Sequence, residues 1–255
     1  MEQLMEIAAH AARRAGELLL DRARGPARGV STKSSPTDRV SDADRDSERL
    51  ILELLAENRP QDGILSEEGG GEESSSGLRW VIDPLDGTVN FLYGIPAWAV
   101  SIAVEDRDGG VAGAIFDPNI GHMWTASRGA GAWLNGEPIR VSDENDLSRA
   151  LVGTGFSYNV EARTAQATVI PRLLPRVRDI RRGGSAALDL AALASGRLDG
   201  FYEAVMEPWD RAAGELLIRE AGGVVSPLEA PAGLSSGLVA AGPNLHDHLR
   251  ALVVG

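Results

Sequence analysis

Residues 80–91 read WVIDPLDGTVNF, and the reading of this stretch decides the fold. Trp80, Val81 and Ile82 form an apolar run with the character of a buried strand. The run ends directly on Asp83, and Asp86 follows three residues later. Asp-Pro and Asp-Gly are both strong turn dipeptides, so a plain turn accounts for the stretch taken alone. A second reading makes the two carboxylates a pair of ligands for a hard cation, Mg²⁺ or Mn²⁺, which takes a few carboxylates plus phosphate oxygens. Pro84 would then stiffen the strand exit and Gly87 would let the backbone approach a ligand closely. Thr88 would add a hydroxyl beside amides free to receive an anion. Both readings stay open on these residues alone.

Working outward, residues 2–23 carry Leu4, Ile7, Ala8, Ala11, Ala15, Leu18 and Leu19 in a helical stripe. Residues 25–38, rich in Gly, Ser and Pro, predict a loop. A second helix is expected from about Ser41 to Asn58, with Ser41 and Asp44 as a rough capping box. GILSEE at 63–68 reads as a short strand ending in acids, and EGGGEESSSG at 68–77 as a polar loop. From Trp98 to Val141 the pattern is strand-rich, with an Asn-Gly turn at 135–136, and predicts an antiparallel meander. Beyond Leu151 strands and helices alternate, including one helix over 161–174 and one over the last ten residues. No long linker interrupts the chain. One catalytic domain over 1–255 is expected, with an α+β half to about 145 and an α/β half from about 146.

Bulk composition narrows the function classes. The 255 residues include no cysteine, which excludes disulfides, thiolate metal sites and cysteine nucleophiles. A net charge of −12 disfavours a nucleic-acid surface, which needs a clustered basic face. No run approaches a membrane span, and the first residues lack the layout of a signal peptide. A cytoplasmic protein acting on a small molecule is the expectation.

Other acids are weak candidates one by one. Glu67 and Glu68 close a strand, Glu203 ends LDGFYE, and Asp210 lies in the first turn of a helix begun by Pro208. Solvation, capping or the helix dipole suffices for each. Asp42, Asp44 and Asp46, with Glu53, mimic a calcium loop, but Ser47 occupies the place of its required glycine. His246 and His248, two apart in a helix, share no face and read as surface residues.

Together the pieces say more. KSSPTD at 33–38, SEE at 66–68, WVIDPLDGTVNF at 80–91, GSAALDLA at 184–191 and PWDRAAGELLIREAGG at 208–223 occur in an order and spacing that resembles the inositol monophosphatase family. The likeness runs over nearly the whole chain. It implies a layered αβαβα fold and a lithium-sensitive, Mg²⁺-dependent phosphomonoesterase, with Mn²⁺ a possible substitute, acting as a homodimer. By position, Glu67, Asp83 and the Leu85 carbonyl would hold a first cation. Asp83, Asp86 and Asp210 would hold a second, and Glu67 a looser third. Asp44 and Thr88 match the pair beside the attacking water, with Glu67 as base. Lys33 falls on the mobile loop. Asp86, Gly87, Thr88, Gly184, Ser185, Ala186, Glu203 and Asp210 match the substrate side.

Glu203 favours a polyol, so inositol 1-phosphate is the expected substrate. Histidinol phosphate, fructose 1,6-bisphosphate and 3′-phosphoadenosine nucleotides are the alternatives, with a non-catalytic regulator more remote. Arg181 and Arg182 are expected at the surface or an interface rather than on a second phosphate. One departure stands out. Ser66 occupies a position where the family usually has glycine, which puts the third cation in doubt.

Overall fold

The computed structural model describes residues 1–25, 29–32, 39–230 and 236–254. The first helix, α1 (Glu2–Ala23), buries Leu4, Ala8, Ala11, Ala12, Ala15 and Leu19, the stripe its sequence predicts. In the expected loop, β1 (Ser31–Thr32) pairs with β2 (Arg39–Val40); Lys33 lies outside the described residues. Next comes α2 (Asp42–Asn58), closed at its start by the Ser41–Asp44 capping box. Then β3 (Gly63–Ser66), β4 (Gly70–Glu72), β5 (Arg79–Asp86) and the short α3 (Thr88–Leu92) lead to the meander of β6 (Ala99–Asp106), β7 (Gly109–Asp117), β8 (His122–Ser127), β9 (Gly131–Leu134) and β10 (Glu137–Pro138).

The second half runs β11 (Leu151–Thr154), α4 (Val160–Ala167), α5 (Ile170–Leu173), β12 (Asp179–Arg181), α6 (Ala186–Ala194), β13 (Gly200–Val205), α7 (Pro208–Glu220), β14 (Val224–Leu228), β15 (Ser236–Ala241) and α8 (His246–Val254).

Two sheets result. The larger has the order β10-β9-β8-β7-β6-β5-β3-β4, antiparallel except where β3 runs parallel to β5. The smaller has the order β12-β11-β13-β15-β14. One core joins α1 and α2 to the outer face of the large sheet, through Leu19, Ile51, Trp80 and Ile102. A second fills the space between the sheets, where α6 and α7 pack Leu190 and Leu217 against Ile115 and Phe201. A third holds α8 and the 170s to the far side of the small sheet, through Leu173, Val239 and Leu249. The layers are helix, sheet, helix, sheet, helix: the αβαβα architecture. Among the described residues no helix is long and apolar enough to cross a membrane.

Three expectations need correction. Residues 70–72 form a strand, because ladder bonds to β3 override a glycine-rich composition that reads as loop. The helix expected over 161–174 is two, with Pro171 opening the second, since proline lacks the N–H that a continuous helix needs. His246 is 4% exposed and packs with Leu249 and Val253 on the inner face of α8, so only the spacing argument about the histidine pair survives.

Candidate active site

Residues three apart on a regular strand point to opposite faces. Asp83 and Asp86 nevertheless line one cavity. The ladder explains it: Asp83 lies opposite Ser101 and Asp86 opposite Ala99, so three steps on β5 match two on β6. This bulge resets the alternation and turns both carboxylates inward. Pro84, inside the bulge, has no N–H to leave unpaired. Gly87 follows at φ +94, where a Cβ would stand 3.0 Å from the Ala97 carbonyl, so both conformation and space require glycine.

The parallel register of β3 on β5 sets Ser66 beside Ile82, and the Glu67 amide donates to the Ile82 carbonyl at 3.2 Å. Glu67 thereby arrives next to Asp83, and their carboxyl groups are in hydrogen-bonding contact. Asp210 comes from the other half of the chain, in the first turn of α7, where it accepts the Glu207 amide at 2.7 Å.

One end of α2 holds three of these segments. Asp44, fully buried, takes the Ser41 amide on one oxygen and the Thr88 hydroxyl on the other, at 2.8 and 2.9 Å. Ser47 donates to the Pro84 carbonyl at 2.7 Å. Glu48 accepts from the Ser66 hydroxyl and from the Glu68 amide. The unusual Ser66 therefore spends its hydroxyl on α2, fastening the strand end that carries Glu67.

Asp86 is fixed differently. It accepts from the Ser185 hydroxyl and from the Ala187 and Ala186 amides, at 2.8 and 3.3 Å for the amides. These are the donors at the start of α6, where a carboxylate is favoured. Gly184, Ser185 and Ala186 do line the cavity, but the donors of Ser185 and Ala186 are engaged with Asp86. Asn90 braces the same junction, donating to the Ala97 and Gly183 carbonyls at 2.7 and 2.9 Å.

Opposite this ring stands Glu203 on β13, packed so closely on Gly155 that a Cβ there would overlap its carboxylate. Burial pushes Glu203 up to about 8 against a pull from Arg182. Asp189 on α6 also faces the cavity, and burial pushes it up to about 7. Sequence reasoning missed Asp189, Arg182 and the aromatic wall of Phe156 and Tyr158. A signal existed for Asp189, an acid one helical turn after Ser185 in GSAALDLA. Arg182, named only for a surface role, lines the cavity, whereas Arg181 is spent on Asp179 at 2.6 Å.

The cavity, about 120 Å³, is thus ringed by Glu67, Asp83, Asp86 and Asp210. Asp83 and Asp210 are held well above the usual carboxylate range, first by burial and then by the neighbouring acids. Burial raises Asp86 as well, against its hydrogen bonds from α6. Buried like charges with so little compensation fit a site for hard divalent cations, whose charge would restore the ionised forms. Among the described residues no three acidic or imidazole side chains already form a closed cage. The acids instead bond to one another and to amides, an open set that water and substrate oxygens would complete.

Known proteins agree in outline. The chain matches the model of the inositol monophosphatase family over residues 1–254. It is 46% identical to the inositol-1-monophosphatase SuhB of Mycobacterium tuberculosis H37Rv over 250 residues, 94% of this chain and 86% of that one. It is 41% identical to the Nus factor SuhB of Escherichia coli K12 over 228 residues, 89% of this chain and 85% of that one. Among solved structures, the extragenic suppressor protein suhB of Bartonella henselae superposes with a TM-score of 0.91 at 37% identity, covering 98% of both chains. The Thermotoga maritima IMPase follows at 0.88 and 34%, covering 99% of this chain and 97% of that one. With a family match from end to end, this chain belongs to the inositol monophosphatase family.

Proposed function

We propose that the protein is a Mg²⁺-dependent phosphomonoesterase that hydrolyses inositol 1-phosphate to inositol and phosphate. The observation that carries the reading is the ring of Glu67, Asp83, Asp86 and Asp210 around one cavity with Glu203 across it. Glu67, Asp83 and the Leu85 carbonyl would hold a first cation; Asp83, Asp86 and Asp210 would hold a second. When bound, the cations supply the charge that offsets the phosphoryl oxygens and make water acidic enough to react near neutral pH.

The chain's own groups do the rest. Asp44 fixes the Thr88 hydroxyl, which also lies 3.1 Å from the Leu85 carbonyl. With its proton directed to these acceptors, Thr88 offers a lone pair to the attacking water and orients it. That water's oxygen bonds to phosphorus as the bond to the leaving oxygen breaks. Its proton passes to Glu67, and the departing alkoxide takes one from solvent. Glu203, at the far wall, would bond the polyol hydroxyls. Buried acids on every side keep the site dry, which strengthens each of these interactions.

Phosphate release with and without Mg²⁺ tests this on inositol 1-phosphate, histidinol phosphate, fructose 1,6-bisphosphate and 3′-phosphoadenosine 5′-phosphate. Preference for inositol 1-phosphate that chelator abolishes is the expected result. Preference for another ester would keep the chemistry and replace the substrate. A second reading, a regulator without turnover, draws support from the name Nus factor carried by the Escherichia coli relative. No release from any ester would favour it. The same reading of the family suggests a homodimer, which sedimentation would test.

A further inference from the structure

Six carboxylates line the cavity: Glu67, Asp83, Asp86, Asp189, Glu203 and Asp210. Arg182 is the single cation among the described lining residues. Its guanidinium acts through space on Asp86, Asp189 and Glu203. Yet Arg182 forms no hydrogen bond or ion pair with a described residue. Arg181, next to it, is fully engaged with Asp179 and the Ile180 carbonyl, at 2.6 and 3.0 Å.

The segment that carries Arg182 is braced. The Gly183 carbonyl accepts from Asn90 at 2.9 Å, and the Gly183 amide donates to Asp189 at 3.3 Å. Gly184 sits at φ +92, and a Cβ there would stand 2.9 Å from Arg182 Nη1. The guanidinium therefore lies over Gly184 on the Glu203 side of the cavity. Opposite it is the acid ring, where the reacting phosphoryl group belongs.

A guanidinium is a planar fork suited to bidentate bonding of phosphate or carboxylate. Here three carboxylates stand within electrostatic reach and none closes an ion pair with it. The enclosed space is small, so a substrate larger than its phosphoryl group extends to the mouth, where Arg182 stands exposed.

We propose that Arg182 is a specificity residue that binds a second phosphate on the leaving alcohol, giving the site bisphosphorylated sugars or polyols as a further class of substrate. The proposal rests on the phosphomonoesterase reading and narrows it. Glu203 selects hydroxyls on the alcohol, and Arg182 selects a remote anion on the same alcohol.

Fructose 1-phosphate and fructose 1,6-bisphosphate test it, because both can release the C1 phosphate and they differ only in the remote one. Arg182→Ala is expected to lower the ratio of kcat/KM, bisphosphate over monophosphate, about ten- to hundredfold, chiefly through KM. Arg182→Lys should recover part of that ratio. An unchanged ratio would overturn the proposal, whether both rates fall together or neither does. Sedimentation of each variant identifies an interface role: a changed assembly with an unchanged ratio counts against the proposal. Hydrolysis of inositol 1-phosphate but of neither fructose ester would overturn it while sparing the proposed function. If no ester is hydrolysed, the phosphatase reading fails separately. Calorimetry with the two fructose phosphates then decides on Arg182: selective loss of bisphosphate affinity in Arg182→Ala sustains the site, and equal affinities overturn it.

Discussion

The wall of the cavity built on β5 and α2 differs from the wall built on β13 and α6 in how its acids are held. On the first, Asp44 and Asp83 each accept hydrogen bonds from the chain, and Glu48 ties down the segment that bears Glu67. On the second, Glu203 has burial around it and Arg182 at a distance, and Asp189 has one long bond from an amide. A fixed wall suits chemistry that tolerates little displacement of the reacting atoms. A wall with unspent groups suits a task that varies from one alcohol to another.

The sharpest way to break this contrast is Asp83→Asn. It keeps the shape and removes a charge, and about a 10³-fold loss of Mg²⁺-dependent turnover is expected. Near-normal turnover would remove Asp83 from the cation site. Next comes Glu48, which touches neither the phosphoryl position nor a proposed cation. Glu48→Ala should weaken Mn²⁺ binding, read by electron paramagnetic resonance on the metal-free protein, by about 10- to 100-fold. Glu48→Gln, able to accept from Ser66 still, should lose less. Equal binding in all three would make the α2 clamp irrelevant to the site.

Glu203→Ala should be milder and selective. It should cut kcat/KM on inositol 1-phosphate about tenfold and spare p-nitrophenyl phosphate, which has no hydroxyls to bond. Equal losses would place Glu203 in the framework. The smallest effect is on stability. Glu203 and Asp189 stand at about 8 and about 7 when folded, against ordinary values of 4.5 and 3.8. Between those limits the folded chain binds more protons than the unfolded one, so stability falls as pH rises. The chelated protein should lose Tm from pH 5 to pH 8, and Glu203→Gln should flatten that decline. A Tm that rose over this range would contradict the burial of both acids.

Much of the fixed wall was legible in the sequence, and little of the other. Asp83, Asp86 and Thr88 lie within six residues, so turn chemistry and strand pattern announce them together. Even there, the bulge that puts both acids on one face follows from pairing with β6, which no local pattern encodes. Ser66 read as a defect because its partner Glu48 lies 18 residues away on a helix face that seemed merely capped. Asp189 and Arg182 gain their meaning from β5 and β13, elements distant in sequence. Composition misled at 70–72 for a similar reason, since a strand partner outweighs intrinsic preference.

The bond from Ser185 to Asp86 spans 99 residues and joins the two halves of the chain. It acts as a rivet, and its consequence is kinetic. Contacts between residues so far apart form only after the intervening chain has closed, which slows them relative to local structure. The large sheet can assemble its meander from neighbouring strands well before Asp86 meets α6. Competence for turnover is therefore a late event in folding, expected to appear after the bulk of the secondary structure is in place.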